Sequence, residues 1–97
     1  MFSIIIPTFN NLEYLKLCIQ SIKKNSEFNH EIIPHINVGT DGTEEYLIKE
    51  KIKYTKTDYN SGICEGMNIA AKKATTQYIL YGHDDFYFCP GWDDVLL

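Results

Sequence analysis

The residues of this 97-residue chain whose types and spacing best suit chemistry are His83, Asp84 and Asp85. They stand between an apolar run, Tyr78-Ile79-Leu80-Tyr81, and an aromatic one, Phe86-Tyr87-Phe88. Charged groups flanked in this way are seldom deeply buried unless they are paired. The pattern is that of a strand that ends and delivers two carboxylates and an imidazole to the rim of a sheet. In an open α/β sheet, ligands bind at that rim. Carboxylate oxygens are hard ligands that suit Mg²⁺ or Mn²⁺, and those ions suit phosphates. The competing reading is local: Asp84 and Asp85 serve the turn that follows, as Asp often does. Taken alone, the triplet is balanced between the two.

The elements that must position these residues are legible as alternating strands and helices. Ser3-Ile4-Ile5-Ile6 is a β-branched run of the kind found in strands buried on both faces, with Pro7 expected to end it. Asn10 or Asn11 is placed to cap a helix whose apolar residues, Leu12, Leu15, Ile19 and Ile22, recur at helical spacing with Cys18 beside them. That helix should fray near Lys23-Lys24-Asn25. Glu31 to Asn37 reads as a second strand, in which Pro34 implies an edge position or a bulge. Gly39 to Thr43 is a loop, and Asp41 with Glu44 resembles a capping box for a helix containing Tyr46, Leu47 and Ile48. Ile52 to Thr55 alternates as a third strand. Asn60-Ser61-Gly62 turns the chain into a helix with a stripe of Ile63, Met67, Ala70, Ala71 and Ala74. Gln77 to Tyr81 is a fourth strand. The order β-α-β-α-β-α-β predicts a Rossmann-like, mostly parallel sheet with right-handed crossovers.

Size and composition bound the function. Ninety-seven residues make one small domain or part of a larger one. A net charge of −4 argues against nucleic acid, which calls for a basic patch, but is no obstacle to a phosphate ligand neutralised by a metal ion. The three cysteines, Cys18, Cys64 and Cys89, have no metal-type spacing. They fit a reduced, cytoplasmic setting with Cys18 and Cys64 as small core residues. The start of the chain lacks the features of a signal peptide, and no apolar run approaches transmembrane length. The final residues, Asp93 to Leu97, read as the opening of a helix, which suggests a domain truncated at its C-terminus.

The first strand-to-helix loop, Pro7-Thr8-Phe9-Asn10-Asn11, has neither a dinucleotide-binding glycine pattern nor a phosphate-loop lysine, and no serine elbow occurs. What remains is a set of strand-end loops. Thr8, Phe9 and Asn10 follow the first strand, and Asn37, Gly39 and Asp41 the second. Asn60 and Gly62 follow the third, and the acidic triplet the fourth. In a parallel sheet these all reach one rim. Neutral amides and hydroxyls with one aromatic suit a nucleobase and ribose; the acids suit a metal-bound diphosphate.

Four segments in series carry a family resemblance. Ser3-Ile-Ile-Ile-Pro-Thr-Phe-Asn10 with Cys18-Ile-Gln-Ser-Ile22 resembles the amino-terminal signature of family 2 glycosyltransferases of the GT-A fold. Gly39-Thr-Asp-Gly-Thr43 resembles their second-strand motif, Asn60-Ser-Gly62 continuing to Met67-Asn68 their third helix, and Tyr78 to Asp85 with Pro90 their fourth strand and Asp-x-Asp motif. The likeness covers essentially the whole chain and implies that residues 1–97 are the nucleotide-sugar-binding, N-terminal half of a GT-A domain.

The resemblance implies a transferase that moves a sugar from a nucleotide diphosphate donor to a glycan or other hydroxyl acceptor. By position, Pro7, Thr8 and Phe9 would line the base and ribose site, with Phe9 where the family usually has tyrosine. Asn37 would meet the base where the family often has an acid, and Gly62 would let the backbone approach the nucleotide. Asp84 would sit near the ribose or metal, and Asp85 would hold a divalent ion, Mn²⁺ or Mg²⁺. His83 replaces the first acid of the motif. As a ligand its softer imidazole would favour Mn²⁺; equally it could face the acceptor or accept a hydrogen bond. The implied transfer is inverting, and its general base is expected beyond residue 97, so this chain alone should be inactive. Asp93 and Asp94 are better read as helix-start residues than as that base. The alternative is a non-catalytic module that binds a nucleotide or sugar.

Overall fold

The computed structural model describes residues 1–94. Strands and helices alternate as β1 (Phe2–Thr8), α1 (Leu12–Asn25), β2 (Glu31–Asn37), α2 (Thr43–Lys49), β3 (Thr55–Thr57), α3 (Gly62–Ala71) and β4 (Tyr78–Tyr81). The four strands form one sheet in the order β3-β2-β1-β4, and every pair is parallel. This is the Rossmann-like arrangement expected of the amino-terminal half of a GT-A domain.

The chain steps outward from β1 through β2 to β3, and α3 then carries it back to the far side of β1. With right-handed crossovers, that reversal puts α1 and α2 on one face of the sheet and α3 on the other. The core divides in the same way. Ile4, Ile6 and Ile36 pack with Leu15, Cys18, Ile19 and Ile22 of α1 and Leu47 of α2. Ile5 and Ile33, pointing the opposite way, pack with Ala70 of α3. Ile4, Ile5 and Ile6 are all fully buried, each worth roughly 2 kcal/mol, which fixes β1 as the sheet's centre. His35 belongs to the α3 face, where Gly66 lies flat on its ring; a Cβ at position 66 would stand 2.6 Å from the imidazole Cδ2.

Both strand prolines depart from expectation for one physical reason. β1 runs through Pro7 to Thr8, and β2 is an interior strand despite Pro34. Pro7 lies beyond the last β1–β4 pair, Ile5↔Tyr81, and Pro34 lies before the first β2–β3 pair, His35↔Thr55. Each proline therefore has a strand neighbour on one side only, the situation a missing N–H tolerates.

The third strand lies at Thr55–Thr57 rather than 52–55. Residues 50–52 are used to close α2: Lys51 takes φ 57° and the Ile52 N–H bonds the Leu47 carbonyl at 2.9 Å. The expected capping box also gives way. Gly42, at φ 91°, is the N-cap of α2, and Glu44 bonds the Tyr54 hydroxyl and Lys56 instead. Cys18 is buried as expected, but Cys64 is exposed on α3.

After β4 the chain doubles back along α1. Asn25 Nδ2 donates to the Phe88 carbonyl at 2.7 Å, the Phe88 N–H to Ser21 Oγ at 2.9 Å, and Trp92 Nε1 to Ser26 Oγ at 3.0 Å. Trp92 is a packing residue, set against Phe2, His30 and Phe88. Asp93 does not open a helix. It is fully buried and accepts the backbone N–H groups of Glu27 and Phe28 and a 2.7 Å bond from His30. The rest of the expected terminal helix, residues 95–97, lies outside the described residues.

Candidate functional site

The reversal of strand order at β1 opens a crevice beyond the carboxyl ends of the strands, the place where open α/β sheets bind ligands. A cavity of about 260 Å³ lies there. All four strand-end loops reach it: Pro7, Thr8, Phe9 and Asn11 after β1, Asn37 from the end of β2, Gly62 and Ile63 at the start of α3, and His83 and Asp84 after β4. The six residues expected to meet a nucleotide thus line one space. Asn11 and Ile63 line it as well. Ile63 was expected in the buried stripe of α3, yet it is 56% exposed, because it sits one turn beyond the helix's contact with the sheet.

The cavity has a planar apolar wall and a polar one. Phe9 is 54% exposed, so its ring is available to a ligand. Opposite in character, Thr8 Oγ1 donates to Asp84 Oδ2 at 2.9 Å, which fixes the orientation of that carboxylate. Asp85 is exposed, and among the described residues no hydrogen bond or ion pair engages it. The His83 ring meets Phe86 edge-on at 5.2 Å between centroids. Among the described residues no three His, Cys, Asp or Glu side chains gather into a group able to hold a metal ion. The field of the two carboxylates is nonetheless felt inside the fold. Burial, then the charges of Asp84 and Asp85, push the Cys18 thiol up to about 12, so it stays protonated and inert beneath the site.

Cross-loop hydrogen bonds hold the rim. Asn10, in the left-handed region at φ 47° that Asn tolerates, accepts the Thr40 N–H at 2.7 Å. Asp41 Oδ2 accepts the Leu12 N–H at 3.0 Å while its Oδ1 accepts from Thr43. Asp41 therefore caps the start of α1 from another loop, and neither Asn10 nor Asn11 does so. Burial pushes its carboxyl upward, but the Thr43 and Leu12 bonds outweigh this and hold it below the usual range. Asn37 binds Asn60 and the Ser61 N–H, joining the β2 end to the α3 start. Behind it, His35 is buried between Thr55, Thr57 and Ser61, and burial pushes its imidazole down; like His30 it is structural. The short-range pattern that suggested a local cap at Asp41 carried no signal of its long-range partner.

Known proteins resemble the chain over most of its length. The family model described as Glycosyl transferase family 2 matches residues 3–97. The abequosyltransferase RfbV of Salmonella typhimurium is 31% identical over 101 residues, covering 99% of this chain and 29% of that protein. The poly(ribitol-phosphate) beta-N-acetylglucosaminyltransferase TarS of Staphylococcus aureus is 29% identical over 93 residues, covering 89% of this chain and 16% of that protein. A crystal structure of S. aureus TarS 1–349 in complex with UDP-GlcNAc superposes with a TM-score of 0.83 at 25% identity, covering 98% of this chain and 29% of the other. The chain therefore spans less than a third of the length of these relatives.

Proposed function

The chain belongs to glycosyl transferase family 2, and on that premise we propose that its cavity binds a nucleotide diphosphate sugar, with a divalent ion, for transfer of the sugar to a hydroxyl acceptor. The observation that carries the reading is the convergence of four strand-end loops on one cavity with an exposed aromatic ring at one wall and an oriented carboxylate at another. The TarS structures with UDP and with UDP-GlcNAc, at 26% and 25% identity, support a donor of this class.

Phe9 stacks on the base, and Pro7 and Thr8 shape the floor beneath it. Gly62, at φ 76° with nothing within 4 Å of a would-be Cβ, leaves the nucleotide room beside the backbone. Asp84 is held by Thr8 toward the ribose and diphosphate. The described residues offer no closed protein cage for a metal. Asp84 and His83 line the cavity, and the unengaged Asp85 next to them in the chain does not; the three would serve a hard ion that keeps phosphate and water ligands. A bound divalent ion would stabilise charge on the departing diphosphate.

The transfer we propose is inverting, with its general base outside residues 1–97. Asp93 is excluded from that role by its burial and its three hydrogen-bond donors. A second reading, a module that binds a nucleotide or sugar without transferring it, is favoured by one observation. Among the described residues Asp84 is the one carboxylate lining the cavity, and it already accepts a bond from Thr8, so none of them there is an unengaged acid ready to take an acceptor's proton. Calorimetric titration of the chain with cytidine, uridine, guanosine and adenosine diphosphates, with and without Mn²⁺, tests the common premise. Saturable binding of at least one, strengthened by Mn²⁺, is expected; a folded protein that binds none overturns it. Donor hydrolysis or transfer by this chain alone would remove the second reading.

A further inference from the structure

The end of the sheet opposite the cavity carries most of the protein's positive charge. Helices that cross between parallel strands run back against them, so the helix C-termini gather at the strands' amino ends. Lys23 and Lys24 close α1, and Lys49 closes α2 with Lys51 just past it. Lys53 leads into β3, and Lys72 and Lys73 follow α3. Of the lysines only Lys16 and Lys56 lie elsewhere, and all the others are exposed. The exposed acids at the same end are Glu27, Glu50 and Asp94. Glu31 there is spent on Ser3, Lys53 and Thr75, and Asp93 is buried among its own donors. The helix dipole accounts for lysines in a last turn, but not for Lys51, Lys53 and Lys73, which lie beyond the helix ends.

These lysines form one continuous surface that includes apolar side chains. Lys23 lies between two clefts, of about 420 and 250 Å³; Phe28 shares the first with it, and Lys51 and Lys53 share the second. Lys53 Nζ in turn reaches the Lys73 carbonyl at 3.4 Å. Phe28 is 48% exposed, and Ile48, beside Lys49, is 60% exposed. A dissolved polyanion asks only for cations. Aromatic and aliphatic side chains standing out among lysines suit the face of a bilayer, where they enter the headgroup layer while the ammonium groups meet its phosphates. The cavity end has the opposite sign: Glu13, Glu44, Glu45 and Glu65 lie in the first turns of the three helices, and Asp84 and Asp85 stand on the rim. A negatively charged surface therefore attracts one end of the molecule and repels the other. We infer that the lysine-bearing end docks on an anionic membrane surface, with Phe28 in the headgroup layer and the cavity facing away from the bilayer. Residues of the cavity take no part in this contact, so membrane docking and the nucleotide reading stand or fall separately.

Co-sedimentation of the 97-residue chain with vesicles tests the docking. Vesicles of equimolar phosphatidylcholine and phosphatidylserine should bind it at least about tenfold more tightly than vesicles of phosphatidylcholine alone, at about 0.05 M salt. Raising the salt to about 0.5 M should remove most of that binding, because screening shortens the reach of the lysine charges. A lysine close to an anionic surface is worth about fivefold, so Lys23→Gln combined with Lys73→Gln should weaken binding about tenfold or more. Phe28→Ser should weaken it severalfold. The emission of Phe28→Trp should shift to the blue on phosphatidylserine vesicles, beyond any change in the parent's single Trp92. Equal binding to the two kinds of vesicle, or binding to neither, overturns the inference, as does anionic binding that survives both the lysine and the Phe28→Ser substitutions in folded variants. Retention on heparin without vesicle binding overturns it too and assigns the surface to a polyanion. The vesicle and salt comparisons use the parent chain, so they decide the question even where a variant does not fold.

Discussion

At the scale of single residues, Asp84 and Asp85 are chemically identical neighbours with different surroundings. Asp84 accepts a hydrogen bond from Thr8, whereas Asp85 is exposed and unengaged among the described residues. An unengaged carboxylate has nothing to lose by taking a metal ion. Asp85→Ala should therefore abolish the Mn²⁺-dependent gain in nucleotide affinity while metal-free binding and stability change little, since exposed side chains without partners cost within about 0.5 kcal/mol. Titration of the variant with and without Mn²⁺ checks this; an unaltered metal increment would assign the ion elsewhere. The sequence displayed both acids, because charges at a strand end are visible as a break in hydrophobicity. It could not distinguish them, because the Thr8–Asp84 bond joins residues 76 positions apart. For the same reason Asp41 looked like a local cap: only the fold brings Leu12 to it. Phe9, by contrast, directly follows a strand end in the sequence, so its position at the rim, with an exposed ring lining the cavity, needs no distant partner.

At the scale of elements, strand and helix identity followed hydrophobic period, while element ends followed hydrogen bonds between neighbours that the sequence does not show. The two prolines sit inside strands because β3 and β4 are short. The displacement of β3 has a cause that can be tested. The α2 end is a Schellman closure: Lys51 N bonds the Ile48 carbonyl at 3.1 Å and Ile52 N the Leu47 carbonyl at 2.9 Å, with Lys51 itself at φ 57°. A side chain in this left-handed conformation costs about 1–2 kcal/mol. Glycine removes that cost but adds chain entropy to the unfolded state, offsetting up to about 1 kcal/mol. Lys51→Gly should therefore stabilise the chain by about 0.5–1 kcal/mol, seen as a rise of a few degrees in melting temperature. A fall would mean that the Lys51 side chain contributes more than its backbone costs.

At the scale of the whole molecule, two carboxylate hubs, a half-buried Glu31 and a fully buried Asp93, join segments distant in sequence, at the end of the sheet opposite the cavity. Glu31, at the start of β2, accepts from Ser3, Lys53 and Thr75. Asp93 accepts from Glu27, Phe28 and His30, whose Nδ1 in turn accepts the Phe2 N–H at 3.0 Å, so the His30 proton sits on Nε2 and points at Asp93. Strand β1 is thus tied to the last described turn through one imidazole. Burial raises both carboxyls, but the bonds they accept outweigh it and hold each down to about 2, Glu31 from 4.5 and Asp93 from 3.8. Carboxyls with depressed folded values favour the native state above their unfolded values and lose that contribution as protons are taken up. Stability should therefore be level above about pH 5 and fall between roughly pH 4.5 and 2. Removing the fully buried Asp93 carboxylate leaves three donors without their acceptor, so Asp93→Ala should cost about 3 kcal/mol at neutral pH. It should also flatten the acid limb, since one of the two groups that steepen it is gone. Denaturant melts of parent and variant from pH 7 to pH 2.5 read both effects. A variant that loses stability at pH 7 yet keeps the parent's acid slope would show that Asp93 acts by packing and that its charge contributes nothing, leaving the acid response to Glu31.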